Sequence, residues 1–365
     1  VVDLLVGAPD YIPFSDRRGS VRLLHGLTGE VLDTYLQPRE HLRRGWGDIF
    51  PMAASPLGDV DGDGLDDTLL SLGNDSLLVT RLCVFGGRAR KVVAEFGPRA
   101  AIAHYLPVAR FHDLDCDGVD EWLAVDCDGD CRLVMRSGLD ETIRYSSPRL
   151  QAAGSHAMPS RSVSMLEVVD DLDGDGVPDV VRGGPSPEAP GAWFTLYSGR
   201  DLSFIRGLHG GEPLSAAGDG SAAVHSRVVF VRVCEPTHCS LHALPLDGSP
   251  GRLVAALPGR HAAWSPIDDL DGDGIADILT GVPDADPATL SVISGANGAS
   301  LGPPISLPSF AAGSRTRLGG RLVAIGDIDG DGRSEIALQL CAGPENTVEE
   351  DFAVCVLKLS PRSRR

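Results

Sequence analysis

Hydrophobic and polar positions alternate along this chain in short runs, and the runs recur. Val21 to Leu24, Leu82 to Phe85, Phe194 to Tyr197 and Leu290 to Ile293 are each followed within two residues by Gly. A second family of runs precedes them: Leu4 to Pro9, Thr68 to Leu72, Val180 to Pro185, Ile278 to Pro283 and Ile336 to Leu340. Period-2 alternation bounded by Gly and Pro predicts strands, not helices. The one stretch with helical candidates, 17–44, is interrupted by Gly26, Gly29 and Pro38.

Ahead of these runs lies an acidic segment of nine residues that recurs five times, at Asp59–Asp67, Asp113–Glu121, Asp171–Asp179, Asp269–Asp277 and Asp327–Glu335. Its form is D-x-D-x-D-G-x-x-[DE], apart from side chains that vary at the x positions. With Asp3, the ninth-position acids fall at 3, 67, 121, 179, 277 and 335. The long interval before Asp277 holds two units. In the first of them Val228 to Val233 and Leu241 to Gly248 match the later strands, while the region of Asp219 is too poor in acids to match the loop. The count is seven units of about 55 residues, approximately 1–45, 46–104, 105–155, 156–210, 211–260, 261–312 and 313–360, with the fifth degenerate.

Three to four short strands per unit, repeated seven times, predict an all-β fold: a single seven-bladed β-propeller of four-stranded antiparallel blades over 1–365. A four-stranded sheet that is apolar on both faces is stable only when packed between neighbours. The first unit begins at its second strand, and the seventh ends after Phe352–Leu359 and a basic tail. The expectation is therefore an N-terminally truncated propeller with incomplete closure.

Three or four carboxylates within nine residues repel one another unless a cation is among them. All-oxygen donors, flexible spacing and a Gly for the sharp turn suit calcium better than magnesium or a transition metal. The expected ligands are the side chains at positions 1, 3, 5 and 9 and the backbone carbonyl at position 7. In chain order these are Asp59, Asp61, Asp63, Leu65 and Asp67; then Asp113, Asp115, Asp117, Val119 and Glu121. They continue with Asp171, Asp173, Asp175, Val177 and Asp179; Asp269, Asp271, Asp273, Ile275 and Asp277; and Asp327, Asp329, Asp331, Arg333 and Glu335. Asp3 is the remnant of a sixth loop. An EF-hand does not fit, because it needs a bidentate Glu at position 12 and a following helix. Position 12 here is Leu70, Ala124, Arg182, Thr280 or Leu338, and the flanks are strands. Asp126 to Asp130 also begins like a loop but has Val134 in the ninth place.

These residues resemble the FG-GAP (integrin α-type) repeat and the related VCBS repeats. The D-x-D-x-D-G-x-x-D loops carry the resemblance, with Val6-Gly-Ala-Pro9, Gly281-Val-Pro283 and the glycine rhythm of Gly19 to Gly29. The resemblance implies calcium between the first two strands of a blade, metals on one face and partners on the opposite face or the blade edges. About five Ca²⁺ per chain are expected, one for each complete loop, since the fifth unit lacks the loop and the first keeps only Asp3. Cys116 stands where Gly is usual, and Glu121 and Glu335 where Asp is usual.

Net charge is -19, from 51 acidic and 32 basic side chains. Both nucleic acid and anionic membrane surfaces require a basic footprint, so neither is expected as a partner. The four acidic ligand positions of the five loops hold 20 of the 51 acids, so outside them the chain is near neutral. No run approaches 18 apolar residues, so no membrane insertion is expected. Lys91 and Lys358 are the only lysines.

Eight cysteines suit an oxidising compartment. Cys234 and Cys239 bracket a hairpin turn, Cys341 and Cys355 lie on neighbouring strands, and Cys127 with Cys131 is a further pair. A zinc reading of Cys234, His238, Cys239 and His242 is weaker than a disulfide, because the turn is short for converging ligands. No nucleophile elbow, zincin motif or phosphate loop is present. Asp48, Glu167, Glu188 and Glu212 are the acids in which a lyase or glycosidase pair could hide. Trp46, Trp122, Trp193 and Trp264 recur near strands, as core packing or as sugar-stacking platforms. The expected function is a non-enzymatic, extracellular or cell-surface, calcium-binding propeller that binds a protein or glycan in adhesion. The alternatives are a lectin with inter-blade sugar pockets, or the propeller part of a polysaccharide-active enzyme.

Overall fold

The computed structural model describes residues 4–8, 20–36, 48–49, 54–74, 79–96, 108–126, 131–140, 142–150, 165–184, 186–210, 221–234, 238–257, 262–282, 288–307, 315–343 and 351–358. It is the expected all-β seven-bladed propeller: seven antiparallel sheets, with no helix among the described residues. Among those residues every strand pairs within its own sheet.

The chain forms two compact units, Asp3–His209 and Gly210–Arg365 with Val1–Val2. The first unit holds four sheets. Sheet one is β1 (Leu4–Ala8), β2 (Ser20–Leu24) and β3 (Val31–Leu36). Sheet two contains β4 (Asp48–Ile49), β5 (Ala54–Leu57), β6 (Asp67–Asn74), β7 (Val79–Phe85) and β8 (Val92–Phe96). Its first strand is broken in two, since both β4 and β5 pair with β6. Sheet three runs β9 (Val108–Arg110), β10 (Trp122–Asp126), β11 (Arg132–Arg136) and β12 (Ile143–Ser146). Sheet four runs β13 (Leu166–Val169), β14 (Asp179–Gly183), β15 (Phe194–Tyr197) and β16 (Phe204–Leu208).

The second unit holds three. Sheet five is β17 (Ser221–His225), β18 (Val228–Cys234), β19 (Cys239–Pro245) and β20 (Arg252–Leu257). Sheet six is β21 (Ala263–Ile267), β22 (Asp277–Val282), β23 (Thr289–Ile293) and β24 (Ile305–Ser306). Sheet seven is β25 (Arg315–Ala324), β26 (Ile336–Gly343) and β27 (Asp351–Leu357).

Where a sheet is covered on both faces, its inner strands are buried throughout rather than alternating. β14, β15 and β21 are buried at every residue. In the first unit Val21 and Tyr35 of sheet one pack on Leu70, Cys83 and Phe85 of sheet two. Leu57, Leu69 and Val84 of sheet two pack on Trp122, Ala124 and Val134 of sheet three. Phe111, Leu123 and Met135 meet Leu166, Val180 and Tyr197 between sheets three and four. In the second unit Phe230 and Leu241 meet Trp264 and Ile278, and Leu279 and Leu290 meet Leu318 and Leu338. Burying a Leu or Phe fully stabilises by about 1.5–3 kcal/mol, so these layers hold the sheets together.

The fifth sheet explains its missing loop. β17 and β18 are joined by the two residues Ser226 and Arg227, both at positive φ (48° and 64°). Such a pair forms a tight hairpin turn that fits the right-handed twist of its strands. The acidic connection has been replaced outright, at a point later in the chain than Asp219.

The tryptophans fall on the packing side of their two readings: Trp122, Trp193 and Trp264 are all buried. Trp46 lies outside the described residues. Among the cysteines, Cys234 and Cys239 form the expected disulfide across a directly paired position of β18 and β19. Zinc at that cluster is thereby excluded. Cys131 is disulfide-bonded as well, while Cys127 lies outside the described residues. The pairing of Cys341 with Cys355 is corrected: Cys355 is free. The register of β26 and β27 sets Cys355 opposite Leu338 and Cys341 opposite Phe352, three places out of step. Replacing Cys234 and Cys239 together by Ser is expected to cost about 2 kcal/mol, the entropy of closing so short a loop. Chemical denaturation measures it, and an unchanged midpoint would show that the β18–β19 ladder alone holds the turn.

Candidate metal centres

Each acidic loop connects the first and second strands of its sheet, and its last acid opens or immediately precedes the second strand. Asp67, Asp179 and Asp277 are the first residues of β6, β14 and β22, paired with Leu57, Val169 and Ile267. Glu121 and Glu335 stand one residue before β10 and β26. This placement turns the ninth-position acid inward. All five are buried, whereas most other acids of the loops are exposed or half-exposed.

The loops fold around their first and ninth carboxylates. In the first of them, Asp59 accepts hydrogen bonds from the N–H groups of Asp63 (2.9 Å) and Gly64 (2.7 Å). The same bonds recur from Gly176 to Asp171 (2.9 Å), Gly274 to Asp269 (2.7 Å) and Gly332 to Asp327 (2.7 Å). They require left-handed backbone at positions 4 and 6, which Gly272 (φ 82°) and Gly274 (φ 86°) supply at no steric cost. These N–H donors hold the Asp269 and Asp171 carboxyls below the usual range.

The ninth acid is a rivet between two hairpins. One oxygen of Asp277 accepts from Leu270 N–H (2.7 Å), and the other from Gly295 N–H (3.2 Å) in the β23–β24 turn. Asp179 does the same with Leu172 (2.8 Å) and Gly199 (3.2 Å), and Asp67 with Val60 (2.9 Å) and Gly87 (2.7 Å). Burial pushes the carboxyls of Asp67, Glu121, Asp179 and Asp277 above the ordinary range, so the fold is pressing charge into a place that disfavours it.

Ligand atoms of the first, third and ninth acids lie within 4.8 Å of one another in four loops: Asp59, Asp61 and Asp67; Asp113, Asp115 and Glu121; Asp171, Asp173 and Asp179; Asp327, Asp329 and Glu335. In the remaining loop the cluster is Asp269, Asp271 and Asp273. The longer Glu121 and Glu335 thus reach the cluster. The fifth acids Asp63, Asp117, Asp175 and Asp331 stand outside these groups. The N–H groups of Leu65, Val119, Val177, Ile275 and Arg333 donate to the fifth carboxylate, which orders the residues whose carbonyls were expected as ligands. Asp3 lies outside the described residues. Asp126 bonds Arg136 (2.5 Å), and the rest of its acidic segment lies outside the described residues.

The donor set fits a hard divalent cation. Every side-chain donor is a carboxylate oxygen, and three converge in each loop. Glu335 adds a specific sign: its Oε2 accepts from Ile328 N–H (2.9 Å), while its Oε1 is buried with no hydrogen-bond partner. A buried carboxylate oxygen left so is costly unless a cation meets it.

Residues 269–338 match the FG-GAP-like repeat family. That stretch contains two of the five loops and the whole of sheet six's later strands, and the other loops repeat its hydrogen bonds. An FG-GAP-like repeat is thus set within a seven-bladed propeller. Comparison with curated proteins gave no match. Among solved structures, this propeller is similar to BBS1N in complex with ARL6DN (8% identity, 80% of this chain and 79% of that chain, TM-score 0.47). It is also similar to the exotype rhamnogalacturonan lyase YesX (13%, 90% and 65%, TM-score 0.48) and to the Dos1 propeller (12%, 96% and 83%, TM-score 0.43).

Sequence reasoning missed the hairpin glycines that clamp the ninth acid. Their signal was the Gly closing each third strand, read only as a turn. A Cβ on Gly295 would stand 1.8 Å from the Ala276 carbonyl oxygen, and one on Gly199 1.7 Å from that of Pro178. Gly295→Ala is therefore expected to cost about 3 kcal/mol, seen as a lower denaturation midpoint. Cys116 has the opposite defect: it holds φ 60° where the other loops place Gly. Cys116→Gly is expected to stabilise by about 1 kcal/mol, measured in the same way.

Proposed function

We propose that this propeller is a calcium-stabilised, non-enzymatic binding module that works outside the cell and takes a protein or glycan partner. One observation carries the calcium reading: a three-carboxylate cluster is built in five sheets, and in four of them the buried ninth acid belongs to it. When bound, the ion would supply the positive charge that the buried acid lacks. Asp59, Asp61 and Asp67, and their counterparts in the other loops, would hold it. It would thereby tie the first two strands of each sheet to the turn after the third. The role is structural, because the ligands are spent on the loop itself.

The disulfide at Cys234 and Cys239 supports a location outside the reducing cytosol. Extracellular calcium modules fill at about 10⁻⁴ to 10⁻³ M, far above cytosolic levels. The three described tryptophans are committed to the core, which lends no support to sugar stacking on an indole. The test is ion selectivity after chelation. Millimolar calcium is expected to restore the melting curve and magnesium to leave it low, because magnesium resists giving up its waters. Equal recovery with magnesium would contradict the calcium reading. Turnover of acidic polysaccharides would contradict the non-enzymatic one.

A further inference from the structure

The five loops are not equivalent, because three of them already hold a cation of the chain's own. Arg144, on β12, reaches Asp115 (2.7 Å) and Asp117 (3.8 Å) of the loop in its own sheet. Arg200, in the β15–β16 turn, bonds Asp175 through Nε (2.8 Å) and the Asp175 carbonyl through a terminal nitrogen (2.5 Å). Lys358, just after β27, lies 2.5 Å from Asp329 and 2.8 Å from Asp331. These contacts reach the third or fifth carboxylate, the ones most exposed. In each of these loops the fifth acid stands apart from the three-acid cluster.

The other two loops differ. At Asp269–Asp277 the register of Arg200 is taken by Ala296, and Asp273 is met only by Ser294 Oγ at 3.4 Å among the described side chains. There the fifth acid joins the cluster. At Asp59–Asp67, Arg88 sits in that register, but its contact with Asp63 is through the backbone N–H (3.1 Å). Among the described residues no ammonium or guanidinium bonds a ligand carboxylate of either loop; Arg252 feels the charge of Asp273, but its guanidinium is spent on the Gly295 and Ala296 carbonyls.

We infer that Arg144, Arg200 and Lys358 are built-in counter-cations that hold three loops folded when calcium is scarce and weaken calcium binding there, leaving the loops at Asp59–Asp67 and Asp269–Asp277 as the tighter sites. A guanidinium or ammonium on a ligand carboxylate must move aside, or repel the incoming ion at close range. The same contact stabilises the empty loop. The two effects have opposite signs, and that separates a counter-cation from a side chain that merely packs.

The inference rests on the calcium reading above. The experiment is calcium titration of the metal-stripped full chain in competition with a chromophoric chelator. It compares the unmodified protein with the triple variant Arg144→Gln, Arg200→Gln, Lys358→Gln. An exposed ion pair accounts for about three- to fivefold in affinity, so three together are expected to raise the overall five-site constant about 30- to 120-fold. The triple variant also melts lower in EDTA. The charge-conserving set Arg144→Lys, Arg200→Lys, Lys358→Arg stays near the unmodified protein on both readouts. The pair Arg22→Gln, Arg227→Gln removes charge away from the ligand carboxylates and measures the non-specific part for each charge removed. An unchanged constant in the triple variant, or an equal rise per charge in the off-loop pair, overturns the counter-cation role while leaving five calcium sites in place. No calcium uptake at all overturns both.

Discussion

Excess EDTA is expected to lower the melting temperature of this propeller by about 4 to 12 °C, and calcium to bring it back. At about 2 mM calcium and a Kd of about 0.1 to 1 mM, each filled site adds about 0.7 to 1.8 kcal/mol to the folded state. Five sites together add about 3 to 9 kcal/mol. Unfolding entropy of about 2.1 cal/mol/K per residue converts that sum into the stated shift for a chain of this length. The direction follows from the loops themselves. Without a cation, buried acids such as Asp277 and Asp179 sit in places that raise their pKa, and exposed neighbours add repulsion. A calorimetric scan with and without chelator decides it. A melting curve indifferent to EDTA would mean that the loops' own hydrogen bonds and cations suffice.

The second large effect separates two kinds of ligand within one loop. Asp179→Ala should destabilise by about 2 to 4 kcal/mol even in EDTA, because the Leu172 and Gly199 N–H groups lose their acceptor inside the fold. In calcium it should lose the site's contribution as well. Asp173→Ala, at the exposed third position, should leave stability in EDTA unchanged or slightly raised, since it removes one of several repelling charges. In calcium it should lose about one site's share of the recovery. The pair is read by melting each variant in both conditions. Equal losses for both variants in EDTA would contradict the riveting role of the ninth acid.

The fold and the metal loops were legible because each depends on local pattern. Asp59, Asp61, Asp63 and Asp67 advertise themselves by spacing alone, and the strand after them by its alternation. What escaped depends on partners far along the chain or on register. Arg144, Arg200 and Lys358 look like ordinary surface cations until strand pairing brings them over a loop. The Ser226–Arg227 turn carries no Asn-Gly or Asp-Gly signature, so the place where the fifth sheet lost its loop was misjudged. Cys341 and Cys355 lie on adjacent strands as expected, yet their pairing needed a register that a connection of unknown shape decides. The hairpin glycines were visible as turns, but the carbonyl they must pass, such as that of Ala276 beside Gly295, belongs to a different hairpin.

Counting the ions bound to the folded chain tests the central claim most directly. After metal stripping and equilibrium dialysis against millimolar calcium, elemental analysis should find five calcium ions per chain, one for each carboxylate cluster. A count of none or one, with the protein folded, would contradict the account.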